Sequence, residues 1–189
     1  MKSLPKVVLV DANFIIAYAN SKTSKDNRAR IEYFLERAES TKCKIVFPMP
    51  AIAEYLVGAG LAGDDFLKRL DKKACLIMAD FNLAAAFELS QIDRAALNTG
   101  DKKDETVAPW QKIKVDRQIV AIGKSRGAQL VISADNSVRN NALRVGMDAM
   151  AIEDLELPES ARQQDLRLVP AKKSRQPSQI KSVSAKRTT

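Results

Sequence analysis

The chain has 189 residues, enough for one domain with a short appendage, and 46% of them are hydrophobic, which is sufficient for a buried core. It contains no histidine, which excludes Ser-His-Asp and Cys-His catalysis, histidine-ligated zinc and ribonucleases that use paired histidines. The net charge of +8 lies mainly in Ser160–Thr189, where eight basic side chains face one acid, Asp165.

The sequence shows no sign of export or membrane insertion. No run reaches the roughly 18 apolar residues of a membrane span, and the start of the chain lacks the apolar region of a signal peptide. Cys43 and Cys75 form no close-spaced motif and lie beside apolar runs. We therefore expect a cytoplasmic protein with two buried free thiols and no contact with a membrane.

Strand-like and helix-like segments alternate along the first 157 residues. In chain order, the runs that predict strands are Lys6–Val10, Cys43–Phe47, Ala74–Met78, Gln129–Ser133 and Asp148–Ile152. Helical spacing follows through Phe14, Ile15 and Tyr18, then in Ala29–Glu39, Ala51–Val57, Asp64–Leu70, from an Asn82 cap to Leu97, in Val115–Lys124 and in Asn136–Arg144. This alternation predicts a three-layer α/β/α domain with a mainly parallel sheet of four to five strands.

Two segments interrupt the pattern. Asn98–Pro109 is polar and is predicted to be the longest internal loop. From residue 158 to 189 the chain is rich in Ser, Gln, Lys, Arg and Pro, and has few apolar residues. Such a segment cannot offset the entropy lost on ordering, so we predict a domain of residues 1–157 followed by a basic, disordered tail.

Four acidic residues lie where parallel strands end or in the helices beside them. Asp11 ends the first strand, Glu54 is in the helix after the second, Asp116 opens the helix before the fourth, and Asp135 follows the fourth. Ligands of parallel α/β sheets collect outside the carboxyl ends of the strands. Each aspartate also suits a helix N-cap, and Glu54 suits a solvent-facing helix position, so each taken alone has a structural explanation.

Together the four carboxylates favour a cation site. If they converge, their repulsion requires a positive charge among them, and carboxylates without imidazole suit Mg²⁺ or Mn²⁺. A divalent ion there lowers the pKa of a bound water and stabilises charge on a phosphodiester. Spacing alone does not establish that the four converge.

Four segments resemble the PIN-domain nucleases, especially the VapC-like ribonuclease toxins. They are Val8–Ile16, Pro50–Leu56, Val115–Ala121 and Val131–Asp135, in the order of that family. The resemblance implies that Asp11, Glu54, Asp116 and Asp135 bind the metal and carry catalysis of RNA hydrolysis. It further implies that Asn13 and Ser133 support the first and last acids, although helix capping and a strand-end hydrogen bond also explain them.

The resemblance implies partners as well. A VapC-like toxin has an antitoxin protein that binds near the acidic edge, and homodimers are usual in the family. Many relatives have a further acid shortly after the last one, whereas Asn136 and Ser137 follow Asp135 here. We therefore expect one firmly bound ion, with a second recruited by substrate phosphate.

Basic residues near the acids are candidates for contact with RNA phosphates: Lys112, Lys114, Arg117 and Arg139. Solvated surface charge is the alternative explanation for them. Trp110 suits base stacking or packing. Two other functions fit parts of the sequence: a nucleic-acid-binding adaptor that uses the basic tail, and a haloacid-dehalogenase-like phosphatase. The phosphatase needs a general acid where Asn13 stands.

Overall fold

The computed structural model describes residues 4–60, 62–98, 100, 103 and 108–162. In chain order, its strands and helices are β1 (Val7–Val10), α1 (Ala12–Ala19), α2 (Lys25–Thr41), β2 (Lys44–Pro48), α3 (Met49–Ala59), α4 (Ala62–Asp71), β3 (Leu76–Ala79), α5 (Leu83–Asn98), α6 (Trp110–Ser125), β4 (Leu130–Ile132), α7 (Asn136–Arg144) and β5 (Asp148–Met150). A short 3₁₀ helix, Ile152–Asp154, follows β5.

The five strands form one sheet in the order β3-β2-β1-β4-β5, and every neighbouring pair is parallel. The central strand β1 pairs Val8 with Ile45 of β2 on one side and with Leu130 of β4 on the other. Its residues Val8, Leu9 and Val10 are fully buried, as expected for a parallel strand covered on both faces. The predicted α/β fold is therefore confirmed, with a sheet that is parallel throughout.

The order of the strands reverses between β1 and β4. The chain moves outward from β1 to β2 and β3, then crosses back to β4 on the other side of β1. Right-handed connections require the helices of these two halves to cover opposite faces. The helix contacts follow this division, since α1 packs on α2 and α3, and α6 packs on α5 and α7. Helix α3 also contacts α6.

Two helices begin four or more residues earlier than the sequence predicts. Helix α2 starts at Lys25, four residues before the predicted start, because the Ser24 side chain caps it by accepting from the Asn27 N–H at 3.2 Å. Helix α6 starts at Trp110, directly after Pro109, whereas the spacing predicts a start at Val115. This earlier start places Lys112 and Lys114 on the helix and Asp116 in its second turn, so the prediction that Asp116 opens the helix is wrong.

Helix α6 lies unusually close to the central strand. A methyl group built on Gly123 would lie 2.4 Å from Cδ2 of Leu9, a separation that real side chains do not show. Leu9 is fully buried in β1 and has little room to move away. Glycine at position 123 therefore permits the observed spacing between α6 and the sheet.

Other predictions fall partly outside the described residues. Most of the predicted loop Asn98–Pro109 lies outside them, and so does the tail beyond residue 162. Residues 159–162 are helical, although the tail is predicted to be irregular from residue 158. The division into a domain and a disordered tail stays a prediction. Within the described part of the chain, no helix is both long enough and apolar enough to cross a bilayer.

Both cysteines are free and buried, so the reactivity of their thiols reports on the packing around them. Burial, with a smaller effect from the neighbouring Cys75, raises the pKa of Cys43 to about 11. Because only the thiolate reacts, we expect the Cys75→Ser protein to react with iodoacetamide at pH 8 about 10²-fold more slowly than a free thiol. The rate should rise as the pH approaches 11 and on unfolding in urea. Alkylation of the folded protein at the rate of the unfolded chain would contradict this burial.

Candidate active site

A cavity of about 380 Å³ opens at the carboxyl edge of the sheet, where the strand order reverses between β1 and β4. Crevices of parallel sheets form at such reversals because neighbouring connections leave in opposite directions. The cavity is lined by all four acids of the sequence prediction, Asp11, Glu54, Asp116 and Asp135. The fold therefore brings together side chains that are up to 124 residues apart in the chain.

Asp11 is the most buried of the four acids, with 2% of its surface exposed. One carboxylate oxygen caps α1 by accepting from the Phe14 N–H at 3.0 Å. The other accepts from the Ser133 hydroxyl and from the Asn13 amide, the latter at 3.3 Å. Burial raises the pKa of Asp11 and the charge of Asp135 adds to the effect, although the three hydrogen bonds oppose it. Asp11 is thus both a helix cap and an acid of the cavity.

Ser133 connects Asp11 to Asp135. It is fully buried, and its hydroxyl oxygen accepts from the Asp135 N–H at 2.9 Å while its O–H donates to Asp11. Asp135 in turn caps α7 by accepting from the Ser137 N–H at 2.7 Å. The structure therefore places Asn13 and Ser133 directly against the acids that they are predicted to support.

Asp116 faces the cavity from the second turn of α6 and is 6% exposed. Its carboxylate accepts from the Lys112 ammonium at 2.8 Å, one helical turn away. The same ammonium donates to Asp135 at 2.5 Å. The helix-capping alternative for Asp116 is removed, because a residue in the second turn does not cap the helix.

Lys112 and Asp135 change each other's titration. Burial acts to raise the pKa of Asp135, but the hydrogen bonds from Lys112 and the Ser137 N–H outweigh it, and the pKa falls below its ordinary value. For Lys112, burial acts to lower the pKa, but the hydrogen bonds to Asp116 and Asp135 raise it overall. The ammonium and the Asp135 carboxylate are therefore both ionised at neutral pH.

Glu54 completes the wall of the cavity from α3. It is an exposed residue in the second turn of that helix, two positions after the buried Ile52. Helix α3 contacts α6, and Glu54 and Asp116 both line the cavity. The longer side chain of Glu54 reaches the cavity from the solvent side, which contrasts with the buried Asp11.

The other three basic candidates differ in position. Arg117 is 1% exposed and its guanidinium donates to Asp93 of α5 at 2.7 Å. The prediction that Arg117 contacts RNA is therefore wrong, because this side chain is buried between α5 and α6. Arg139 donates to the Ser133 carbonyl at 2.5 Å and also to the Asn136 side chain, so it braces the loop that carries Asp135. Lys114 is exposed and lies over the ring of Trp110, at 5.6 Å from its centroid.

The chemistry of these side chains suits a hard divalent cation, since the four acidic groups that line the cavity offer carboxyl oxygens as metal ligands. One positive charge, the Lys112 ammonium, already lies between Asp116 and Asp135. Among the described residues, no three acidic or cysteine side chains form a ready metal site. The donor types therefore fit Mg²⁺ or Mn²⁺, but the present arrangement holds an ammonium where two of the carboxylates meet.

A larger cavity of about 580 Å³ lies elsewhere, beside the edge strand β5. Its walls include Tyr33 and Phe34 of α2, Leu143 of α7 and Met150 of β5. None of the four predicted acids lines it, and its Arg37 is paired with Glu156 at 2.8 Å. The smaller cavity is the candidate active site because the four acids line it, whereas volume alone does not indicate chemistry.

Several residues of the site are absent from the sequence prediction. Val115, Ile119 and Val138 form an apolar wall of the cavity, and Gln111 adds one further polar side chain. Asp93, the partner of Arg117, is also unpredicted. The spacing of four between Lys112 and Asp116 is the one sequence signal that indicates an ion pair, provided that the helix is known to include both.

No protein-family model matches the sequence, and neither does any curated protein. Solved structures are similar in fold. A chain of the DNA-bound VapBC complex from Salmonella typhimurium is 20% identical with a TM-score of 0.53, and the match covers 78% of this chain and 99% of that one.

Two further structures agree with this match. A chain of VapBC2 from Rickettsia felis, bound to a DNA fragment from its promoter, is 14% identical with a TM-score of 0.53, covering 77% of this chain and 98% of that one. A chain of VapBC-1 from nontypeable Haemophilus influenzae is 12% identical with a TM-score of 0.52, covering 78% and 99%. At these identities the likeness concerns the fold. The chain therefore has the PIN-domain, VapC-like fold that its sequence motifs predict.

Proposed function

We propose that this protein is an endoribonuclease that hydrolyses RNA with the help of Mg²⁺ or Mn²⁺. The observation that carries the proposal is the convergence of Asp11, Glu54, Asp116 and Asp135 on one cavity at the strand-order reversal. Asp11 is buried, and hydrogen bonds from the Phe14 N–H and from the Asn13 and Ser133 side chains orient its carboxylate, which suits it to bind a cation in the cavity. The VapC-like fold supports the same activity.

The chain's own residues prepare the site for this chemistry. Asp11, Asp116 and Asp135 would hold the ion, and Glu54 is placed to contact it from the open side. When bound, the ion supplies an activated water and stabilises negative charge on the phosphate. Ser133 and the cap of α1 fix the orientation of Asp11. The site is thus held in position before substrate arrives, which is how electrostatic stabilisation is most effective.

Binding of RNA would use positive charge near the cavity and in the tail. Lys114 is exposed close to the site, and Lys112 and Arg139 lie at its edge. The segment 163–189 contains seven basic residues and one acid. We propose that the tail attracts the phosphate backbone without reading its sequence, because such contacts depend on charge alone.

An antitoxin protein is the proposed regulator, and a homodimer is the proposed assembly. Three structures of similar fold are VapBC complexes, which supports a protein partner for this chain. A partner that covers the cavity would exclude RNA from the acids. The adaptor alternative, in which the tail binds nucleic acid and the domain does no chemistry, is separated from our proposal by the cleavage assay below. No specific contact favours the phosphatase, since Asn13 donates to Asp11 where that reaction needs an acid.

Replacing Asp116 with Asn tests the metal-dependent activity. The substitution keeps the volume and removes a charged ligand, so we expect cleavage of RNA to fall at least about 10²-fold. Cleavage by the wild type should need Mg²⁺ or Mn²⁺ and stop with EDTA, measured on a labelled RNA by gel electrophoresis. Asp80→Asn is the matched control, because Asp80 follows β3 at the same sheet edge, is exposed and lies outside the cavity lining. Undiminished cleavage by Asp116→Asn, or cleavage without a metal, would rule out the proposal.

Removing residues 163–189 separates RNA binding from catalysis. The shortened protein loses most of the net positive charge, so it should bind RNA more weakly and its affinity should depend less steeply on salt. Cleavage at saturating RNA should persist, because every proposed catalytic acid lies before residue 136. Filter binding at several salt concentrations and single-turnover cleavage measure the two effects. An unchanged salt slope would remove the tail from RNA binding.

A further inference from the structure

The Lys112 ammonium occupies a position with two carboxylate neighbours. It lies 2.8 Å from Asp116, which is within α6, and 2.5 Å from Asp135, which caps the N-terminus of α7. Asp116 has only 8% of its side chain exposed, and Asp135 has 26%. The ammonium therefore partly neutralises a pair of carboxylates that are shielded from water and that would otherwise repel each other.

Lys112 differs from the acids in its freedom to move. Its side chain is 44% exposed, and a lysine has four flexible methylene groups between backbone and charge. Asp11, Asp116 and Asp135 are short side chains on buried or half-buried backbone, and Asp11 and Asp135 are further fixed as helix caps. Of Lys112 and these three acids, Lys112 is therefore the side chain that can move away most easily.

We propose that Lys112 is a placeholder cation, whose ammonium holds Asp116 and Asp135 together in the metal-free protein and is displaced from at least one of them when a divalent cation binds. This inference rests on the proposed function and gives Lys112 a positioning role at the metal site. The ammonium and a divalent ion compete for the same oxygen atoms. Displacement leaves the positive charge attached to α6, beside the cavity, where a phosphate oxygen of RNA can accept from it.

The competition has opposite effects on stability and on metal affinity. Removing the ammonium leaves two shielded carboxylates without their partner, so the metal-free fold should become less stable. The same change removes a positive charge that a divalent ion must displace, so the ion should bind more tightly. If Lys112 were only a structural link, its removal would lower both the stability of the metal-free fold and the affinity for the ion, because a loosened site also binds metal poorly.

The test measures Mn²⁺ binding by isothermal titration calorimetry and melting temperature without metal, on the full chain and its Lys112→Met variant. We expect Lys112→Met to melt at a lower temperature than wild type without metal, to bind Mn²⁺ roughly 10-fold more tightly, and to gain more in melting temperature from saturating Mn²⁺. Lys112→Arg keeps the charge and should return the Mn²⁺ affinity towards that of wild type.

Lys124→Met is the matched control. Lys124 is on the same helix, loses the same charge when replaced, and pairs at 3.4 Å with Glu88, which lies outside the cavity. Its Mn²⁺ affinity should equal that of wild type. If wild type binds Mn²⁺ and Lys112→Met binds it equally or less tightly, the placeholder role is overturned while the metal site stands. If neither protein binds Mn²⁺, the metal site of the proposed function fails, and this inference fails with it.

Discussion

The side chain of Asp11 places a carboxylate almost completely out of water at the centre of the sheet edge. Such a charge persists only if dipoles and hydrogen bonds replace the lost water. Here the first turn of α1, the Asn13 amide and the Ser133 hydroxyl provide them. Because Ser133 follows β4, this compensation depends on the pairing of β1 with β4. The strand-order reversal therefore creates the crevice and also supplies the hydrogen-bond donor that makes its deepest acid tolerable.

Helix α6 combines a fixed body with a movable charge. Arg117 anchors the helix to α5 through Asp93, and a buried guanidinium of this kind is costly to leave unpaired. Asp116, the preceding residue, is therefore held by an immobile backbone. Lys112, one turn earlier, projects to the partly exposed side. On this helix, packing thus determines the position of the Asp116 carboxylate, whereas ionic partners determine the position of the Lys112 ammonium.

The strand pattern of the sequence was sufficient to locate much of this arrangement. Short apolar runs between the helical segments predict the strands to within one or two residues. The strand ends identify Asp11 and Asp135 as neighbours, since parallel strands end at one edge. Glu54 and Asp116 lie on helices, where spacing does not indicate which way a carboxylate faces, and they depended on the family resemblance. The predicted helix starts were less accurate: α6 begins at Trp110, directly after Pro109, which ends a stretch whose composition is typical of a loop.

The failures with charged residues have a common physical origin. Arg117 looks like a surface cation in the sequence because its partner, Asp93, is 24 residues away on another helix. Lys112 appears to be a free phosphate ligand until α6 is known to extend one turn further back, where it faces Asp116. Side-chain charge is visible in a sequence, but its compensation is a tertiary property. The hydrophobic pattern thus predicts the framework better than it predicts the electrostatics of the site.

The close approach of α6 to β1 at Gly123 has a consequence for how this scaffold can vary. Asp116 and Gly123 are seven residues apart, about two helical turns, so they lie on the same face of α6. A side chain at position 123 would press against Leu9 and push the C-terminal half of α6 away from β1. The orientation of the helix, and with it the position of Asp116 relative to Asp11, would then change. The spacing between α6 and β1 behind the candidate site thus depends on a residue that has no side chain.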